Sequence, residues 1–232
     1  MVDFHTHILP GIDDGSSSMD ETRELLNMEL ENGVTQIVFT PHFYADQMSI
    51  KTFLAKRQAA YEQVMQEMKD DTRFEQFYLG AEVAHFPGMS KAEQLEVLCV
   101  QGTKVLLIEM PFAQWTEEVY RELAYIVEKR KLTVILVHLE RYAEFQKKKK
   151  VWSKVLELPI HVQINGGAVI NRRRRRFVFQ YLKKNPRVVL GSDSHNTTVR
   201  KPNLKEARMI LTDKFGKKIL TKIDDCGKTL LE

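Results

Sequence analysis

Met1-Val2-Asp3-Phe4-His5-Thr6-His7-Ile8-Leu9-Pro10-Gly11-Ile12-Asp13-Asp14-Gly15 opens the chain and decides how the rest is read. Residues 2–5 have the character of a short buried strand. It runs out into a loop that carries His7 and Asp14 and is closed by Pro10, Gly11 and Gly15. On an extended backbone, residues i and i+2 point to the same side, so the imidazoles of His5 and His7 can approach one ion. A lone His-x-His has a blander explanation, two strand histidines with ordinary hydrogen-bond partners. What tips the balance is that the later strand candidates also end in His, Asp or Glu.

Working outward, the second strand is expected over 34–40 (VTQIVFT), delivering Pro41-His42. The third, over 74–83, carries Gly80 and Glu82, and the fourth, over 104–110 (KVLLIEM), carries Glu109. The most apolar, 132–139 (LTVILVHL), ends in His138-Leu139-Glu140-Arg141-Tyr142. A sixth over 160–165 is closed by Gly166-Gly167, and a seventh opens at 187–190 and reads into Gly191-Ser192-Asp193-Ser194-His195-Asn196. Between them lie helix signals. Ser18-Met19-Asp20-Glu21 has the form of a capping box, and Gly33 stands where its helix should stop. Further helices are expected over about 50–69, 116–131, a lysine-rich stretch to about 158, 171–184, and from about 204 onward.

Seven strands alternating with helices, without hairpin signals, predict a parallel sheet. Strands buried on both faces and used at one end predict a barrel, whose catalytic groups gather at the C-terminal strand ends. His5, His7, His42, Glu82, Glu109, His138, Asp193 and His195 all fall at or just beyond such ends. No linker or internal repeat divides the chain, so one catalytic domain over 1–232 is expected.

The 232 residues suffice to bury a full core, and 43% hydrophobic content fits a globular protein. No apolar run reaches the roughly 20 residues of a membrane span, and Asp3 and His5 stand where a signal peptide would need apolar residues. A cytoplasmic protein without membrane insertion is therefore expected. The net charge of +4 is local: the runs 147–150 and 172–176 supply nine of the 35 basic residues, and the remaining 26 face 31 acidic ones. That argues against a nucleic-acid partner, and each run reads as a solvated helix face. Cys99 and Cys226 lack metal-type spacing. They also lack the Cys-x5-Arg loop of cysteine-based tyrosine phosphatases, since Val105 and Glu232 occupy the positions of the arginine. Both read as packing residues.

Taken in order, His5-x-His7, Pro41-His42, Gly80-Ala81-Glu82, Ile108-Glu109, His138-Leu139-Glu140-Arg141-Tyr142 and Ser192-Asp193-x-His195-Asn196 resemble the PHP (polymerase and histidinol phosphatase) metallohydrolase superfamily. Within it, His-x-His-Ile-Leu-Pro-Gly-Ile-Asp-Asp-Gly is similar to the CpsB/YwqE family of bacterial, manganese-dependent protein-tyrosine phosphatases. The resemblance spans about residues 1–200. It implies a distorted (β/α)7 barrel holding two to three divalent ions, with Mn²⁺ favoured and Fe²⁺ or Zn²⁺ as alternatives. By motif, His5 and His7 with Glu82 and Asp193 would hold a first ion. Glu82 would bridge to a second, with Glu109 and His138, while Asp14, His42 and His195 would hold a third. Mixed imidazole and carboxylate ligands suit those metals rather than Ca²⁺. A water between such ions becomes a nucleophile near neutral pH.

Arg141 and Arg200 match family positions expected to clamp the phosphate, where a guanidinium fork fits two phosphoryl oxygens. The run 172–176 is more basic than the family pattern suggests, and is expected to be solvated and remote from the metals. Of the other histidines, His161 reads as structural or exposed and His85 as a group that could line the pocket. The resemblance implies a phosphotyrosine protein as substrate, the tyrosine-rich tail of a membrane-associated bacterial kinase that controls capsular or exopolysaccharide synthesis. A small-molecule phosphomonoesterase such as histidinol phosphatase is the first rival. A catalytically silent binding module is the second, and an inactive scaffold has no physical need for nine convergent ligands.

Overall fold

Nine strand segments occupy seven strand positions in the computed structural model, which describes all 232 residues. They are β1 (Val2–Thr6), β2 (Gln36–Phe39), β3 (His42–Phe43), β4 (Gln76–Leu79), β5 (Glu82–Ala84), β6 (Val105–Glu109), β7 (Thr133–Leu136), β8 (His161–Asn165) and β9 (Val188–Gly191). One sheet has the order β1-β2-β4 and the other β3-β5-β6-β7-β8-β9, with all pairs parallel. The second and third expected strands are each broken in two, at Thr40-Pro41 and at Gly80-Ala81. Backbone bonds from Gly80 N to Phe39 O (2.8 Å) and Glu82 N to Pro41 O (3.0 Å) carry the pairing across the breaks. From the far edge, Asp193 N donates to His5 O and His7 N to Ser194 O, both at 2.9 Å, returning the circuit to β1. The arrangement is the expected (β/α)7 barrel, distorted where the two strands break.

Apolar residues sort onto two faces with the period of a strand. Val38, Leu107, Ile135 and Val189 belong to an inner cluster with Phe4, while their neighbours Ile37, Leu106, Leu136 and Leu190 join the larger outer cluster under the helices. The helices are α1 (Met19–Glu31), α2 (Ile50–Glu67), α3 (Glu117–Glu128), α4 (Lys149–Glu157), α5 (Gly166–Ile170), α6 (Arg172–Leu182), α7 (Leu204–Phe215) and α8 (Lys218–Leu231). None is long and apolar enough to cross a membrane. In α8, Leu230 joins the inner cluster and Gly227 lies against the Phe4 ring, so the last helix covers the end of the barrel at which β1 begins.

One local feature differs from expectation. Ser18 does cap α1, accepting from Glu21 N at 3.3 Å, but the Glu21 carboxylate takes Ser17 N and Oγ instead of the Ser18 amide. Gly166-Gly167 close β8 as expected and at once begin the short helix α5.

Candidate metal centre

Backbone irregularities aim the site. The β1–β2 register slips between Asp3 and Thr6. Phe4 lies in the inner cluster, yet His5, next in sequence, also reaches an inner side chain, Gln163, which stands between the outward Val162 and Ile164 of β8. His138 and Asp193, just past β7 and β9, both hold positive φ, +35° and +55°. Such backbone is costly for residues with a Cβ and persists where surrounding contacts enforce it. Gly191 makes room for the convergence, because a Cβ there would stand 2.6 Å from that of His5.

Glu82 is the hub. Its Oε2 lies 3.0 Å from His5 Nε2, 3.1 Å from His7 Nε2 and 3.1 Å from His42 Nδ1. Its Oε1 lies 2.9 Å from His138 Nε2, which is in turn 3.6 Å from Glu109. Asp193 Oδ1 stands 3.8, 3.7 and 3.6 Å from His5, His7 and His195. At the mouth, Asp14 is 64% exposed and lies 3.6 Å from His42 and 3.3 Å from His195. Three sets have donor atoms close enough to share an ion: His7, Asp14, His42 and His195; His5, His7 and Asp193; and His42, Glu82 and Glu109. His7 and His42 each fall in two sets, so the grouping is more interleaved than three separate ligand sets.

The ring orientations suit ligation. His5 Nδ1 donates to Gln163 Oε1 (3.0 Å), His7 Nδ1 to Asp13 Oδ2 (2.7 Å) and His195 Nδ1 to the carbonyl of Asp193 (3.1 Å). Each bond occupies Nδ1 and turns Nε2 inward, the nitrogen left to meet a metal. As a result His5 Nε2 and His7 Nε2 face one another at 3.0 Å, and His195 Nε2 is buried without a hydrogen-bond partner. Ring nitrogens crowded together around buried carboxylates are an arrangement that one cation can bind in common, and the nitrogen and oxygen donors fit a transition ion.

Electrostatics agree. Burial pushes His138 and His42 down, and burial together with the His7 charge takes His195 to about 3, so these imidazoles stay in the neutral, ligating form. Burial opposes charge on His7 as well, but Asp13 and Glu82 overcome it and raise His7 to about 10. Burial and the neighbouring Glu82 charge lift Glu109 to about 7. Glu82 itself, despite burial, is held well below the carboxylate range by His5 and His42. Glu82 likewise lifts His5 against its burial, so the surplus negative charge draws protons to His5 and His7 alone.

Both candidate clamps lie at this end. Arg200 Nη2 donates to Asp193 Oδ1 at 2.7 Å, and Arg141 Nη1 stands 3.6 Å from Asp193 Oδ2 with its guanidinium 4.8 Å from the centre of the Phe112 ring. His85 is outside the sets, 3.0 Å from Glu122, and His161 is half-buried. Cys99 is buried, with its thiol pushed up to about 12 by that burial, and Cys226 is half-buried. Sequence reasoning passed over Asp13, Gln163, Asn165 and Phe112. Gln163 Oε1 also accepts from His138 N (2.7 Å), and Asn165 Nδ2 donates to Asp193 Oδ2 (2.8 Å). A glutamine between the apolar Val162 and Ile164 was the one available signal for Gln163.

A family model for capsular polysaccharide synthesis, CpsB/CapC, matches residues 1–228. The tyrosine-protein phosphatase CpsB of Streptococcus pneumoniae is 27% identical over 233 residues, covering 94% of this chain and 92% of that protein. The tyrosine-protein phosphatase YwqE of Bacillus subtilis is 24% identical over 235 residues, covering 100% and 91%. A crystal structure from the pair YwqE of Bacillus subtilis and CpsB of Streptococcus pneumoniae, termed unique metal-dependent tyrosine phosphatases, has a TM-score of 0.85 at 22% identity, over 100% of this chain and 94% of that one. At that identity the likeness speaks for the fold.

Proposed function

This chain belongs to the CpsB/CapC family of capsular polysaccharide synthesis, and from that premise we propose that it is a metal-dependent protein-tyrosine phosphatase. The observation that carries the reading is the meeting of four imidazoles on Glu82 beside two arginines on Asp193. Its relatives carry the phosphatase name over nearly their whole length.

His5, His7, Asp14, His42, Glu82, Glu109, His138, Asp193 and His195 would hold two to three divalent ions, Mn²⁺ first, with Fe²⁺ and Zn²⁺ compatible with the same donors. When bound, the ions supply an acidified water and positive charge opposite the phosphoryl oxygens. The chain does the rest. Gln163, Asp13 and the Asp193 carbonyl hold the imidazole rings in register. Arg141 and Arg200, already turned to this end, present planar forks to two phosphoryl oxygens and stabilise charge that builds in the transition state. The departing phenolate, with an ordinary pKa of about 10, needs little protonation compared with an alkoxide. Neither cysteine takes part. Phe112, 39% exposed beside His138 and Arg141, offers an aryl surface at the mouth.

The substrate is read as a phosphotyrosine protein in the cytoplasm, the tail of a membrane-associated bacterial tyrosine kinase of capsule or exopolysaccharide synthesis. The test is kcat/KM for a phosphotyrosine peptide against histidinol phosphate, a ratio that reports differential transition-state stabilisation. The peptide should win; preference for histidinol phosphate would assign the site to small-molecule phosphomonoesters instead.

A further inference from the structure

The run 172–176 is not uniformly remote from the centre. Arg172, Arg173 and Arg176 are exposed, but Arg175 turns back, its Nε and Nη2 donating to Val169 O and Ile170 O at 2.6 Å. Asn171 caps α6, its Oδ1 accepting from Arg173 N (2.9 Å) and Arg174 N (3.3 Å). Those bonds fix the first turn of the helix so that Arg174 lines a cleft of about 600 Å³, which Asp193, Arg141 and Arg200 line as well. The cleft therefore begins at the catalytic end of the barrel and extends to α6.

Its chemistry is that of an anion-binding groove. Arg141, Arg174 and Arg200 stand against Glu140 and Asp193. Arg200 and Arg141 are both drawn to Asp193, whereas Arg174 is exposed and forms no salt bridge. The free charge thus lies at the outer end. Asn171 and Asn203 add amide groups to the same lining, and at the rim Val199 stands 89% exposed, an apolar contact without a partner in the chain. A groove of this size, open to solvent and mostly polar, suits a short stretch of extended peptide rather than a buried small molecule.

We propose that this cleft is a flanking-residue subsite in which Arg174 binds the carboxylate of an Asp or Glu close in sequence to the phosphotyrosine. The inference rests on the tyrosine-phosphatase reading above and names its preferred substrate class, acidic phosphopeptides. Arg174 acts through binding and touches no reacting atom.

The test uses the metal-loaded full chain and two phosphotyrosine peptides that differ only in having Glu or Gln at the flanking positions. Wild-type protein should favour the Glu peptide about fivefold in kcat/KM, mainly through KM, as expected for one partly exposed charge-assisted contact. That ratio should fall with salt. Arg174→Gln should bring the ratio to about one, and Arg176→Gln, on the same helix but outside the cleft, should leave it at the wild-type value. Equal turnover of both peptides by the wild type, or equal loss in the two variants, overturns the subsite alone. If neither peptide is turned over while a small phosphomonoester is, the tyrosine-phosphatase reading falls and takes the subsite with it.

Discussion

At the scale of single residues, the second layer of contacts does as much as the proposed ligands. Gln163 Oε1 receives both the His5 ring proton and the His138 amide. Gln163→Leu, close in size, should therefore free the His5 ring and the backbone amide of His138 at once and weaken metal binding by about 10- to 100-fold, the usual cost of losing such a partner; direct titration with Mn²⁺ measures it. Arg141→Lys and Arg200→Lys keep the charge but lose the fork. Each should lower aryl phosphate turnover on the order of 10²-fold, with metal content unchanged by elemental analysis. Cys99→Ser with Cys226→Ser should leave kcat per folded molecule intact. The buried hydroxyl at 99 costs on the order of 1–3 kcal/mol of stability, so the assay is normalised to folded protein. The proposed ligands were legible because histidines and carboxylates at strand ends are conspicuous. Gln163 and Asp13 were not, since a residue that orients a ligand carries no chemical mark of its own.

At the scale of elements, the convergence depends on how closely β9 approaches β1. A methyl group on Gly191 would meet His5 Cβ at 2.6 Å and Gln163 Nε2 at 2.7 Å. Gly191→Ala should cost about 1–3 kcal/mol by overpacking and displace His5, so that metal content falls along with the thermal midpoint. A drop in stability with full metal content would show that the strands, not His5, absorb the strain. The seven strand positions could be read from apolar runs bounded by Gly and Pro, and their order followed from the alternation with helices. What could not be read was where a strand breaks or bulges. The slip at Asp3 to Thr6 lies in the pairing between strands and has no local mark, while Pro41 and Gly80 stand at the two breaks but could equally have bounded a strand or sat within one. The first turn of α6 was hidden for a similar reason: five consecutive arginines look alike until the helix phase and the Asn171 cap send Arg174 and Arg175 in different directions.

At the scale of the whole molecule, the barrel brings together carboxylates and imidazoles from β1, β3, β5, β6 and the segments after β1, β7 and β9, in a cluster short of positive charge. A cation that binds the folded state alone stabilises it by about 2.7 kcal/mol at a hundredfold excess over Kd. For a domain of this size that corresponds to a rise of about 5–10 °C in Tm. Calorimetry with and without Mn²⁺ should show the rise, and Ca²⁺ should produce far less because the donors include five imidazoles. The barrel itself was visible in the sequence as a rhythm of strands and helices. Its covering by α8 and its side cleft were not, because both arise from packing between distant segments. The central claim is that this convergence makes a metal-dependent tyrosine phosphatase, and the most direct measurement is phosphotyrosine-peptide hydrolysis by metal-stripped protein as Mn²⁺ is added back. Turnover should be absent after stripping and return with bound metal; full turnover by protein shown to be metal-free would contradict the account.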